Sequence, residues 1–238
     1  MIYEIYHETN FDYAGLVTFS HNIARLKPKN CTTQKLLEYS LSMEPNPYET
    51  NEFIDYFENT NNFMLIREAH KTLKVIASSK VEIVEEQINK NIEALKNVSL
   101  TFKELKQRLS SYHKDDVLAK YFLFETESIP MPSDQIKEYV LKSFNEDKNI
   151  IEATNEFMQR IFNDFKFVSG FSDITTPIET IFKEKKGVCQ DFAQFAISAL
   201  RSIGIPARYV SGYIQTIPPL GKEKLFGADA SHAWFSIY

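Results

Sequence analysis

Near residue 100 the apolar pattern of this chain changes period, and that change limits the fold more than any other feature. Before it, residues 2–9 alternate loosely, 14–20 carry Leu16, Val17 and Phe19, and 61–66 and 73–83 are further β-type runs. Turn-forming breaks separate them at Met43-Glu44-Pro45-Asn46-Pro47 and Glu58-Asn59-Thr60-Asn61-Asn62. Short strands between such turns predict an antiparallel β-sandwich-like domain over 1–110.

Beyond residue 100 the period becomes helical. Thr101-Phe102-Lys103-Glu104 has capping-box spacing and predicts a helix through 109. Pro130 and Pro132 break the chain. Ser133-Asp134 then opens a helix with Ile136, Tyr139, Val140 and Phe144 on one face, and the next helix aligns Ile151, Thr154, Phe157, Met158, Ile161, Phe162 and Phe165. With strands expected at 207–215 and 232–238, residues 111–238 read as an α+β domain.

Within that domain Thr176-Pro177-Ile178-Glu179 offers an N-cap threonine, proline at the first helical position and glutamate at the third. Lys183, Lys185 and Lys186 complement that helix's C-terminal dipole, and Gly187 is expected to take its left-handed cap. Another helix follows over 189–203, with Phe192, Ala193, Ala196, Ala199, Leu200 and Ile203 as its apolar stripe. The alanines suit close approach to a sheet, and Gly204-Ile205-Pro206 stops the helix.

This order puts Cys189 at a helix start. The N–H groups and partial positive charge there favour thiolate over thiol, and the cysteine's own N–H can stabilise an oxyanion. The only histidine downstream of it is His232, within Ser231-His232-Ala233-Trp234. A histidine on a neighbouring strand can take the thiol proton and return it, so the pair reads as a cysteine nucleophile with its general acid/base. Trp234, two residues along the strand, shares the face of His232 and offers an apolar wall. Asp191, in the first helical turn, reads as a cap. Gln190 either donates to an oxyanion or faces solvent. Asp229 orients His232 only if its loop folds back. Cys31 lies in a polar segment and reads as a bystander, and His7, His21, His70 and His113 read as structural.

Other chemistries find little support. Net charge is −5 with no basic stripe, which argues against nucleic acid as a partner. No apolar run reaches membrane-span length, and Met1-Ile2-Tyr3-Glu4 does not open a secretory signal. Two cysteines make no disulfide framework, so a cytoplasmic, reducing setting is expected. No zinc- or calcium-binding spacing occurs, and neither a metal nor a cofactor is expected.

The run Gly187-Val188-Cys189-Gln190-Asp191-Phe192-Ala193, continuing as Leu200-Arg201-Ser202-Ile203-Gly204-Ile205-Pro206-Ala207-Arg208-Tyr209-Val210-Ser211-Gly212-Tyr213, strongly resembles bacterial transglutaminase-like proteins. So does Ala228-Asp229-Ala230-Ser231-His232-Ala233-Trp234. Tyr6-His7-Glu8-Thr9, Arg25-Leu26-Lys27-Pro28, and the stretch from His70 to Ile83 resemble the β region preceding the core in that family. The resemblance implies a papain-like core with a Cys-His-Asp triad acting on carboxamides of protein or peptide substrates, by acyl transfer or amide hydrolysis. Cys189 and His232 match the first two triad members. Many relatives carry a histidine where Gln194 stands, so that position is assigned nothing. The family places its aspartate on the strand after the histidine strand, and the sequence ends before that strand, which reads as truncation. The rival expectation is a non-catalytic interaction module on the same fold. An arylamine acetyltransferase, with the same type of triad, would need a coenzyme A site, for which no feature is seen.

Overall fold

The computed structural model describes residues 1–111, 113–215 and 231–238. They form two compact units, Met1–Lys96 and Asn97–Tyr238.

The first unit holds β1 (Ile2–Val17), β2 (Ser20–Ala24), β3 (Gln34–Glu44), β4 (Glu49–Ile54), β5 (Thr60–Ile66), β6 (His70–Ile83) and α1 (Glu85–Lys96). The strands make two antiparallel three-stranded sheets, ordered β1-β6-β3 and β2-β5-β4. Strand β6 buries Leu73, Val75, Ala77, Ser79 and Val81 in strict alternation, as a strand with one covered face must. Leu73 and Val75 meet Met43 of β3 and Met64 and Ile66 of β5, so both sheets contribute to one core.

Residues 14–20 do not make a separate strand. Most belong to β1, which continues to Val17 through an irregularity between Asp12 and Val17. Strands β3 and β4 give weak sequence signals because β3 buries only Met43 and β4 buries nothing. Helix α1 likewise has no buried residue, and its i,i+4 and i,i+3 pairs, Glu86–Lys90 and Glu93–Lys96, lie on a solvated surface.

The second unit holds α2 (Phe102–Leu109), α3 (Lys114–Lys120), a 3-10 turn (Tyr121–Leu123), α4 (Asp134–Leu141), α5 (Ile150–Asp164), β7 (Lys166–Phe167), α6 (Ile178–Glu184), β8 (Lys186–Gly187), α7 (Cys189–Ser202), β9 (Ala207–Gly212) and β10 (His232–Ile237). Helix α2, placed in the first domain on sequence, packs here: Phe102 and Leu105 join the core of α4, α5 and α7. Its capping box forms as expected, with Thr101 Oγ1 accepting from Glu104 N and Glu104 Oε2 accepting from Thr101 N.

Helix α5 is rotated from its predicted face. It buries Ile150, Ala153, Phe157 and Ile161, whereas Met158 is 50% and Phe162 84% exposed. Both faces carry large apolar residues. The small Ala153 beside Phe157 lets the buried face approach its neighbours closely.

Helix α7 is the centre of the unit. Phe195, Ala196, Ile197, Ala199 and Leu200 are completely buried, and the helix packs on the antiparallel β9–β10 pair. At its end the buried Arg201 guanidinium donates to Ala207 O through Nε (3.1 Å) and Nη2 (2.9 Å), and to Phe124 O through Nη1 (2.6 Å). Carbonyls rather than a carboxylate satisfy this charge, tying the start of β9 to the end of the helix.

Candidate active site

Cys189 is the first residue of α7, after the extended N-cap Val188. The local sequence makes this entry sharp. Val188 has no side-chain acceptor, so the first turn is held from the other side: the Asp191 carboxylate accepts the Val188 N–H at 2.7 Å. The same oxygen, Oδ2, accepts a short hydrogen bond from Ser172 Oγ. Asp191 is 3% exposed and caps the helix through Oδ2, as its position in the sequence suggested.

Gly187 is required by this packing. A Cβ on it would lie 2.8 Å from Asp191 Oδ2, 2.9 Å from Asp191 Cβ and 3.1 Å from Phe192 Cε1. Its expected role as the left-handed cap of α6 is corrected. Lys185 makes that turn with φ +53°, and Gly187 lies in β8. The start of α6 also differs, since Pro177 is the N-cap, one residue after Thr176. Glu179 reaches instead to Ser133, accepting from its N at 2.8 Å and its Oγ at 2.9 Å.

The Cys189 thiol is half-buried and unpaired in a disulfide. Among the described residues the backbone N–H groups of Cys189 and Gln190 meet no acceptor, leaving two donors beside the sulfur. Gln190 is half-buried, and its side chain has no hydrogen bond among the described residues.

His232 begins β10 opposite Gly212. Helix α7 packs on both strands of the antiparallel β9–β10 pair, whose six-residue strands are about 20 Å long beside the helix's roughly 21 Å. Phe235 and Ile237 pack on the core, so alternation places His232 and Trp234 together on the other face. Trp234 Cη2 occupies space 2.7 Å from where a Gly212 Cβ would stand. No hydrogen bond joins the Cys189 thiol to the His232 ring among the described residues. Asp229 lies outside the described residues.

Two residues around the start of α7 were not anticipated. Tyr209 lies on β9 opposite Phe235. Burial, and then the negative charges of Cys189 and Asp191, raise the pKa of its hydroxyl. Its signal was the alternation Ala207, Tyr209 along the inner face. Ser172 gave no signal, because its role depends on a loop that returns to α7.

Cys31 is exposed on the first unit, 3.3 Å from Thr33 Oγ1. Among the described residues no cluster of three His, Cys, Asp or Glu is placed to hold a metal ion, and no helix is long and apolar enough to cross a membrane.

Comparison with known proteins agrees with this architecture. The bacterial transglutaminase-like N-terminal region matches residues 3–82, and the transglutaminase-like superfamily matches 137–238, which includes Cys189 and His232. An uncharacterized protein of Mycobacterium tuberculosis H37Rv is 30% identical over 99% of this chain and 73% of its own length. The chain belongs to the transglutaminase-like superfamily. A second uncharacterized relative, from Mycobacterium leprae, is 26% identical over 98% of this chain and 78% of its own length. The crystal structure of a "Putative Cysteine Protease" from Cytophaga hutchinsonii superposes over the whole chain and 75% of its own, with a TM-score of 0.70 at 20% identity. The superposition establishes the shared papain-like α+β fold behind an N-terminal β region.

Proposed function

We propose that this transglutaminase-like protein is a thiol-dependent acyl-transfer or amide-hydrolysis enzyme. Cys189 attacks the carbonyl of a protein or peptide carboxamide. The C–N bond breaks as His232 delivers a proton to the departing amine or ammonia, and water or a second amine resolves the thioester. The observation that carries this reading is the free thiol at the first position of a buried helix whose first turn is capped by Asp191. The capping work falls on another side chain, so the sulfur and two nearby N–H groups remain available for chemistry. Two free thiols suit a reducing compartment, and we place the protein in the cytoplasm.

A non-catalytic interaction module is the second reading, favoured by the missing thiol–imidazole hydrogen bond. Such contacts are often long in unliganded enzymes and tighten with substrate.

Iodoacetamide labelling against pH, in a Cys31→Ser background, separates the two. The enzyme reading expects Cys189 to react with iodoacetamide near neutral pH much faster than free cysteine does. It also expects release of ammonia or of new amine termini from casein, lost on the order of 10⁵-fold in Cys189→Ala. Labelling no faster than free cysteine, together with release of neither ammonia nor amine, would establish the module.

A further inference from the structure

The turn delivering the chain from α6 into Gly187-Val188-Cys189 is made by a lysine in the left-handed region, where a side-chain-bearing residue is disfavoured and glycine is not. Lys185 is fixed from both directions. Its N–H donates to Ile181 O at 2.9 Å, closing α6, and its carbonyl accepts the Lys166 N–H at 2.8 Å, opening the parallel β7–β8 bridge. The next rung, Val168 N to Gly187 O at 2.9 Å, lies two residues before the cysteine.

The lysine side chain is itself held at this turn. Its ammonium sits 3.7 Å from the ring centroid of Phe182, 4.4 Å from Phe165 and 4.6 Å from Tyr139, all within cation–π range. Tyr139 is braced in turn: its hydroxyl donates to Asp164 Oδ2 at 2.7 Å, and the Arg160 guanidinium covers its ring at 4.1 Å. Of the charged groups around the ammonium, Asp164 attracts it while Arg160 and Lys142 repel it.

We propose that Lys185 is a positioning residue for Cys189: the Tyr139–Phe165–Phe182 cage holds its ammonium, which fixes the left-handed turn, and the β7–β8 bridge passes that fixed geometry to the helix start. The proposal rests on Cys189 being the reactive thiol, so its test includes a readout that does not need the chemistry.

The experiment uses the full chain with Cys31→Ser and compares Lys185→Met, Lys185→Gly and Lys185→Arg by amide hydrogen exchange and by iodoacetamide labelling against pH. In Lys185→Met the amides of Lys166, Val168 and Val188 should exchange roughly tenfold faster or more, while Phe157 and Ile161 of α5 keep their protection. Cys189 labelling should move toward the free-thiol profile. Lys185→Arg retains a cation over the rings and should restore both properties. Lys185→Gly relieves the backbone but empties the cage, and should behave like the methionine variant.

Wild-type protection in Lys185→Gly or Lys185→Met would overturn the proposal, because the turn would then hold without the cage. Uniform acceleration that includes α5 would overturn it as well, showing a general packing role. If the parent protein labels like free cysteine, the functional reading fails, and the exchange pattern still decides the role of Lys185.

Discussion

In the first unit the apolar side chains are spread across two thin sheets, whereas in the second they converge on one helix. Met43, Met64, Ile66, Leu73 and Val75 make the buried cluster of the first, with strand faces elsewhere open to solvent. In the second, α7 is buried along nearly its whole length against aromatic residues of α4, α5 and α6. The contrast teaches where precision is kept. A side chain at the first turn of a helix moves only as far as that helix does, and α7 is close-packed along most of its length.

Truncating the centre of that helix is the harshest way to break the contrast. Phe195→Ala should cost about 3–5 kcal/mol. Trp234 is the only tryptophan and lies in the second unit, so its fluorescence in a denaturant titration reports that unit. Phe162→Ala, on the 84%-exposed face of α5, should stay within about 0.5 kcal/mol. Equal losses would mean that the buried centre of α7 and the exposed side of α5 are wrongly distinguished.

A gentler perturbation sits at the helix entry. Gly187→Ala inserts a methyl against Asp191 and Phe192 and should cost about 1–3 kcal/mol by the same measurement. Unchanged stability would show that the Asp191 cap can yield.

The smallest effect belongs to the first unit and depends on pH. The Tyr6 hydroxyl, the Asn10 amide and the nearby Lys74 ammonium hold the Glu8 carboxyl at about 2, below its usual 4.5. A depressed carboxylate contributes stability above its ordinary range and loses it as pH falls toward 2. Glu8→Gln should therefore flatten the acid limb of the first unit's stability between those values and change little near neutrality. Amide exchange in β1 and β6 checks this, and an unaltered limb would dismiss the network.

Sequence reading and structure agree where one physical signal acts alone. Cys189 heads its helix because an extended entry, a buried stripe and a Gly-Ile-Pro stop all point the same way, and the Thr101–Glu104 box formed from adjacent residues. Agreement fails where two signals compete. Helix α5 offered apolar residues on both sides, and only tertiary packing chose between Phe157 and Phe162. Glycine was the expected left-handed cap, but Lys185 makes the turn, with its ammonium over the neighbouring Phe182 and the distant Tyr139 and Phe165. Ser172 reached the Asp191 cap through loop return, and Tyr209 the surroundings of the thiol through strand pairing, which no local pattern encodes.

The buried Arg201 has a consequence for how this chain can change over time. Its guanidinium spans from the end of α7 to the first carbonyl of β9, and a second carbonyl, on Phe124, occupies its remaining reach. Adding or deleting a residue between Ser202 and Ala207 would displace the carbonyl that accepts from Nε and Nη2, leaving only Phe124 O to meet the charge. The spacing from the end of α7 to the start of β9 is therefore set by how far one guanidinium can reach.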